Sequence, residues 1–214
     1  MRPIAPLLVL ICTLSACAST TTRLPAVASV TVETPPLSQA WRDAADPADT
    51  AALDSLPASW TEALGNGRGA AKVAAAEAAL LDPKGKLDHA ALPPGSYNCR
   101  VVRIERGRSR GFPTQFCFVN GEADGRLNFN KQTGTDLPSG WLYADENDRY
   151  IFLGAQQRRP GDNSLAYGSD RSRDIAGVVE RIGPFKWRLV VPRASPKALW
   201  VYELTPVPTA QQPG

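Results

Sequence analysis

The chain has 214 residues, 43% hydrophobic and 21% charged, with a formal net charge of +3 and one histidine. That composition suits a single globular domain and gives no ground for a nucleic-acid partner. With His89 alone, neither a multi-histidine metal site nor a well-supported Ser-His-Asp or Cys-His arrangement can be assembled, so no metal and no cofactor is expected.

The N-terminus reads as an address. Met1-Arg2 supplies a short positive segment, and residues 4–14 form an apolar run too short to span a bilayer but suited to a signal peptide. The run ends in Leu14-Ser15-Ala16-Cys17, which looks like the lipobox of bacterial lipoproteins. In that class the chain is cut before the cysteine, which then carries lipid. The expectation is therefore a signal peptide over 1–16 and a lipidated Cys17 that attaches the protein to a membrane. Ala18, rather than Asp, follows Cys17 and points to the periplasmic face of the outer membrane. Residues 17–45 read as a flexible tether of about 20–30 Å typical reach.

Residues 46–94 read as small helices. Asp46-Pro47-Ala48-Asp49 is a helix start, with an acidic N-cap and a proline in the first turn. Leu53, Leu56, Trp60 and Leu64 follow at helical spacing, and Pro57 should break the run. A second helix is expected over 70–81.

From Gly95 the pattern changes to short strands between turn residues. Eight are expected, at about 97–105, 113–120, 126–132, 140–145, 149–155, 175–182, 186–192 and 198–205. Trp187, Leu189 and Val191 alternate with Lys186 and Arg188, and Trp200, Tyr202 and Leu204 form a similar row, each marking one buried face. Short links favour antiparallel neighbours. The fold class is thus mainly β with a small N-terminal helical segment (α+β overall). Its strands would form a lipocalin-like antiparallel barrel over 95–206, with a two-sheet sandwich as the alternative and a disordered tail over 207–214.

The first hairpin carries Cys99 and Cys117. Folding it about Arg108 would set the two cysteines directly opposite, Tyr97 opposite Val119 and Val101 opposite Gln115. Directly opposed residues are close enough for a disulfide, which an oxidising compartment would keep closed. Two free buried thiols are the alternative.

One connection is long and polar. Residues 156–173 hold Arg158, Arg159, Arg171 and Arg173 around Tyr167, a grouping suited to an anionic partner such as anionic lipid, lipopolysaccharide or peptidoglycan. Charge is also segregated: residues 95–214 carry 17 basic side chains, fourteen of them arginine, against 12 acidic ones. Arginine suits phosphate and carboxylate better than lysine does.

Several motifs occur together in order: Gly95-Ser96-Tyr97-Asn98-Cys99-Arg100, Phe116-Cys117, Gly140-Trp141-Leu142-Tyr143-Ala144-Asp145 and Phe152-Leu153-Gly154-Ala155. Arg173-Asp174, Gly177, Val179-Glu180-Arg181-Ile182-Gly183 and Trp187-Arg188-Leu189-Val190-Val191-Pro192 complete them. Over roughly residues 40–206 this resembles an alphaproteobacterial envelope lipoprotein family known only as a domain of unknown function. The resemblance implies one exported domain and brings no catalytic residues with it. Tyr97-Asn98-Cys99 also resembles, over a short stretch, the lysozyme-inhibitor lipoproteins, which implies a protein partner such as a hydrolase.

The expectation is a non-enzymatic envelope binding module for an anionic or amphipathic component. A protein-binding hydrolase inhibitor comes second, and a hydrolase using Asp145 and Glu180 as a carboxylate pair third. A ligand-sized barrel cavity would favour the first reading, and a side-chain-filled interior the second.

Overall fold

The computed structural model describes residues 37–65, 75–121, 126–146, 148–194 and 197–208. The expected signal peptide, Cys17 and most of the expected tether lie outside the described residues, as does the tail after residue 208.

Nine strands make one antiparallel sheet: β1 (Gly95–Glu105), β2 (Arg108–Gly111), β3 (Gln115–Gly121), β4 (Leu127–Lys131), β5 (Pro138–Asp145), β6 (Arg149–Gln156), β7 (Asp174–Gly183), β8 (Lys186–Ala194) and β9 (Lys197–Pro206). From β3 onward each strand pairs with the next, and β9 returns to β1 in register from Tyr97↔Pro206 to Ile104↔Leu199. The result is a closed eight-stranded barrel with β2 as an extra strand, and the sandwich alternative is set aside. All eight expected strands are present.

The ninth strand lies where the sequence reads as turn. Arg106 and Gly107 both have positive φ, at 49° and 72°, which makes a two-residue hairpin of the primed type. The chain therefore reverses earlier than expected, and residues 108–111 extend along β1. This also corrects the register. Tyr97 opposes Cys117 and Cys99 opposes Gln115, in place of Cys99 opposite Cys117, Tyr97 opposite Val119 and Val101 opposite Gln115. The Cys99–Cys117 disulfide is present nonetheless, drawn diagonally across the two strands with Cα atoms 5.8 Å apart. Both cysteines are fully buried.

Two apolar layers share the barrel wall. The inner layer takes Tyr97, Cys99, Cys117, Phe129, Phe152, Trp187, Leu189, Tyr202 and Leu204. It is filled by rings: Tyr97 meets Trp187 edge-on at 6.1 Å, and Phe129 meets Phe152 likewise at 5.8 Å. The outer layer (Val102, Ile104, Ile151, Val178, Val190, Val201) is roofed by Trp41, Leu53, Leu56 and Trp60. These come from helices α1 (Leu37–Ala44), α2 (Pro47–Asp54) and α3 (Leu56–Leu64).

The helical cap follows its local signals with two differences. Asp46 caps α2 by accepting from the Ala48 N–H at 2.8 Å, and the break before Pro57 separates α2 from α3. The stretch expected as tether up to residue 45 includes α1, because Trp41 is 1% exposed and gives that helix a face to bury. The helix expected over 70–81 is, in its described part, a 3-10 turn (Ala75–Glu77) followed by turns. Side chains from the barrel bind that segment. Arg100 grips Glu77 bidentately at 2.6 and 2.8 Å, and Arg188 donates to the carbonyls of Leu80 (2.9 Å) and Asp82 (2.6 Å). Arg188 is therefore fully buried, whereas strand alternation alone assigns it to solvent. The outward face of β8 is covered, so its period-two pattern does not mark exposure there.

Candidate functional site

The loop between β6 and β7 does not gather its four guanidinium groups around Tyr167. Arg171 alone stands over that ring, 5.8 Å from its centroid, and its charge is held by Asp46 (3.1 Å), Asp49 (3.1 Å) and Asp174 (2.7 Å). The Tyr167 hydroxyl donates to Asp49 and accepts from the Asp46 N–H at 2.9 Å. Arg173 donates through Nε to the Gln156 carbonyl at 2.7 Å. Arg158 and Arg159 are exposed. The loop thus clasps the start of α2, and two of its four arginines are engaged within the fold.

A different cluster forms at one end of the barrel. The inward row of β1 runs Tyr97, Cys99, Val101 and then Arg103, while that of β9 runs Leu204, Tyr202 and then Trp200. Arg103 and Trp200 are direct cross-strand partners, with the guanidinium 4.0 Å from the indole centroid. Arg193 on β8 lies 4.7 Å from the same indole. Arg103 is also 4.6 Å from the Phe112 ring, and Arg110 is 5.1 Å from that ring. Arg193, Trp200, Arg103, Phe112 and Arg110 therefore form a continuous series in which cations alternate with aromatic rings.

This arrangement opposes ordinary sheet stability. Arg103 and Arg110 are paired directly across β1 and β2, and like charges so placed repel. None of Arg103, Arg110 and Arg193 makes a salt bridge among the described residues. The Arg103 Nε is buried and has no hydrogen-bond partner. Contact with a ring face uses the guanidinium's π surface and leaves its in-plane N–H donors to meet an oxyanion. A groove of about 620 Å³ runs beside Arg103, Arg110, Phe112 and Trp200 of this cluster, with Arg106 and Arg108 added and one carboxylate, Glu105, which pairs with Arg106 at 3.6 Å.

Sequence reasoning placed Trp200 on a buried face but missed its arginine neighbours. The signal was available: an arginine at position 103 continues the inward parity of three apolar residues.

The other candidates are held in structural pairs. Asp145 accepts from Arg149 Nε at 2.7 Å, and Glu180 accepts from Arg188 Nε at 2.8 Å, so each carboxylate of the expected pair has its own arginine. His89 is exposed and has φ 60°.

No curated protein matches this chain. Among solved structures, a redesigned β-barrel matches at 9% identity and a TM-score of 0.38, covering 56% of this chain and 96% of that one. At that score the likeness carries no argument. Residues 41–204 match a family described as a domain of unknown function, DUF4893. The matched span begins at Trp41 in α1 and ends at Leu204 in β9, taking in the helical cap and the barrel, and the chain belongs to the DUF4893 family.

Proposed function

We propose that this protein is a lipid-anchored envelope binding module without catalytic activity. Lipid on Cys17 holds it to the membrane, and the arginine–aromatic cluster at the barrel end takes an anionic or amphipathic envelope component. The supporting observation is that cluster: Arg103, Arg110 and Arg193 lack carboxylate partners among the described residues, and two of them face each other across a strand pair. The likeness of Leu14-Ser15-Ala16-Cys17 to a lipobox supports the anchor. Aromatic side chains pack the barrel interior, the condition that favours a protein partner over a ligand within the barrel. Binding is therefore placed at the barrel's end, where the same surface would also serve a protein presenting carboxylates.

The test uses the full chain in neutral detergent, titrated with mixed micelles containing phosphatidylglycerol or only phosphatidylcholine, and with soluble peptidoglycan fragments. An anionic ligand should bind at least about ten-fold more weakly to R103Q/R193Q than to wild type. Its affinity should also fall with added salt, since exposed charges are screened beyond about 10 Å at 0.1 M. An R158Q/R159Q variant should bind like wild type. Equal binding by wild type and R103Q/R193Q, or binding that ignores salt, overturns the assignment.

A further inference from the structure

The barrel wall has a seam beside this cluster. The β3–β4 ladder runs from Gly121↔Leu127 to Cys117↔Lys131. Beyond it the Gln132 N–H donates to the Phe116 carbonyl and the Phe116 N–H donates to the Thr133 hydroxyl, both at 2.8 Å, and the strand pairing gives way to a bend. On the other side the Phe112 N–H still bonds the Val101 carbonyl at 2.9 Å, and the chain leaves the β1 ladder at Pro113-Thr114, where Pro113 has no N–H to contribute. Between the two edges lies a slot of about 190 Å³, with Val101 and Arg103 of β1 among its lining residues. Gln115, Lys131 and Asp136 also line it, and it shares Arg103 and Phe112 with the outer groove.

Lys131 is an unusual wall residue. It is 2% exposed, and its ammonium donates to the Thr133 carbonyl at 2.6 Å as its one hydrogen bond among the described residues. Asp136 lies in the same slot but is otherwise engaged. Its Oδ2 accepts from the fully buried Tyr202 hydroxyl at 2.5 Å, and the Gln156 side-chain amide lies 3.2 Å from its Oδ1, where hydrogen bonding assigns the amide nitrogen to that position. No salt bridge joins Asp136 to Lys131. Burial lowers the Lys131 pKa and Asp136 acts in the opposite sense, so the lysine's charge is only partly compensated. Gly134 closes over the ammonium: a Cβ there would lie 3.0 Å from Lys131 Nζ and 3.1 Å from Gln115 Oε1. The slot therefore holds a nearly buried ammonium with spare donors, a guanidinium whose buried Nε lacks a partner, and one carboxylate whose oxygens are occupied.

We infer that this slot is a subsite for a carboxylate group, held between Lys131 and Arg103 with Gln115 at its side. One carboxylate balances the slot's net single positive charge, and its planar oxygens suit a narrow opening between two strand edges. Where the ligand is longer than the slot, its body continues past Phe112 into the outer groove. That extension rests on the binding reading above, whereas the carboxylate subsite does not.

The experiment follows Lys131 directly. Wild-type protein is titrated with N-acetylalanine, with pentanoate, with the uncharged N-acetylalanine amide and with inorganic phosphate, while the Lys131 side-chain NMR resonances are recorded. Both carboxylates should shift Lys131 saturably, and the amide should not. K131M should retain the fold, since it exchanges a buried cation for an apolar chain of similar length, and should lose at least about ten-fold in carboxylate affinity. R158Q/R159Q should leave these short ligands unaffected, because both arginines are exposed on the loop after β6 and line no part of the slot. If neither carboxylate shifts Lys131 in the wild-type protein, or the amide binds as well, the subsite fails. Phosphate binding more tightly than either carboxylate would also overturn the carboxylate assignment. Anionic-micelle binding that persists through such failures would leave the outer groove standing, so the two readings fall separately.

Discussion

Cys99 and Cys117 are bonded on the diagonal of the β1–β3 pair: Cys117 stands opposite Tyr97, while Cys99 stands opposite Gln115. The bond therefore spans a two-residue offset between strands. A one-residue slip would send one cysteine to the outer face of the wall, so the covalent link and the ladder define each other.

Replacing both cysteines by alanine should lower stability by about 2–4 kcal/mol, the range for a loop of this size, with 18 residues separating the pair. Urea unfolding of the wild type and the double variant measures the difference. A non-reducing peptide map should show the peptides containing Cys99 and Cys117 joined. Because both residues are fully buried, reductant should open the bond only under conditions that unfold the barrel.

Arg188 and Glu180 form a buried pair beneath the helical cap, where Arg188 also binds the carbonyls of Leu80 and Asp82 and lies 5.0 Å from the Trp60 ring centroid. R188M should cost about 3–5 kcal/mol, because it strands a carboxylate and two carbonyls at once. R188M/E180L should recover part of that loss. The carbonyls of Leu80 and Asp82 remain unpaired in the double variant, so recovery should be incomplete. A double-mutant cycle from denaturant unfolding reads both terms.

Gly140 and Gly154 face each other across β5 and β6. A Cβ on Gly140 would stand 2.3 Å from Gly154 Cα, and one on Gly154 would stand 2.3 Å from the Ser139 carbonyl oxygen. Since the obstacles are backbone atoms, no side-chain rotation relieves them. G140A and G154A should each destabilise by more than about 3 kcal/mol, and thermal melts should show both well below wild type.

Three phenols set the alkaline limit, among them the fully buried Tyr202, which burial and the neighbouring Asp136 raise well above the ordinary tyrosine value. Burial is the main cause pushing both Tyr97 and Tyr167 up to about 12, against about 10 for an unfolded tyrosine. A group with a raised folded-state pKa contributes its full stability below the unfolded value. That contribution drains away as pH rises toward the folded value. Stability should therefore fall between about pH 10 and pH 12. Y97F and Y167F should each flatten that decline in urea melts repeated across the range. At neutral pH, Y167F should also loosen the start of α2, because the hydroxyl bonds to Asp46 and Asp49 are lost, and hydrogen exchange at Asp46 and neighbouring amides detects it.

Much of this architecture was legible in the chain. The rows Trp187, Leu189, Val191 and Trp200, Tyr202, Leu204 point inward as their alternation indicates, and Asp46 caps the helix that its side chain announces. What escaped has physical causes. The hairpin turn was misplaced because Arg106 adopts a positive φ, which few residues with a Cβ do. Arg188 was misassigned because period two separates the faces of a strand without saying whether the outer one is roofed. The arginines after β6 looked like a ligand site because sequence shows their proximity to Tyr167. It does not show Asp46, Asp49 and Asp174 arriving to pair with Arg171. The barrel-end cluster depends on contacts among β1, β2, β8 and β9, which only closure brings together.

That closure orders events during synthesis. β1 emerges first among the strands, yet one of its edges is completed by β9, roughly a hundred residues later. Until the chain reaches Pro206, the β1 backbone along that edge waits without a partner, and so does the inner row of Tyr97, Cys99 and Val101. The nascent molecule therefore passes through a long interval with an open, partly apolar strand edge, the stage at which chains of this kind associate with one another. The cysteines are only 18 residues apart, so their bond can form early in that interval. A barrel that loses its last strand to a premature stop should accordingly be rescued poorly by an intact disulfide and should be prone to aggregation.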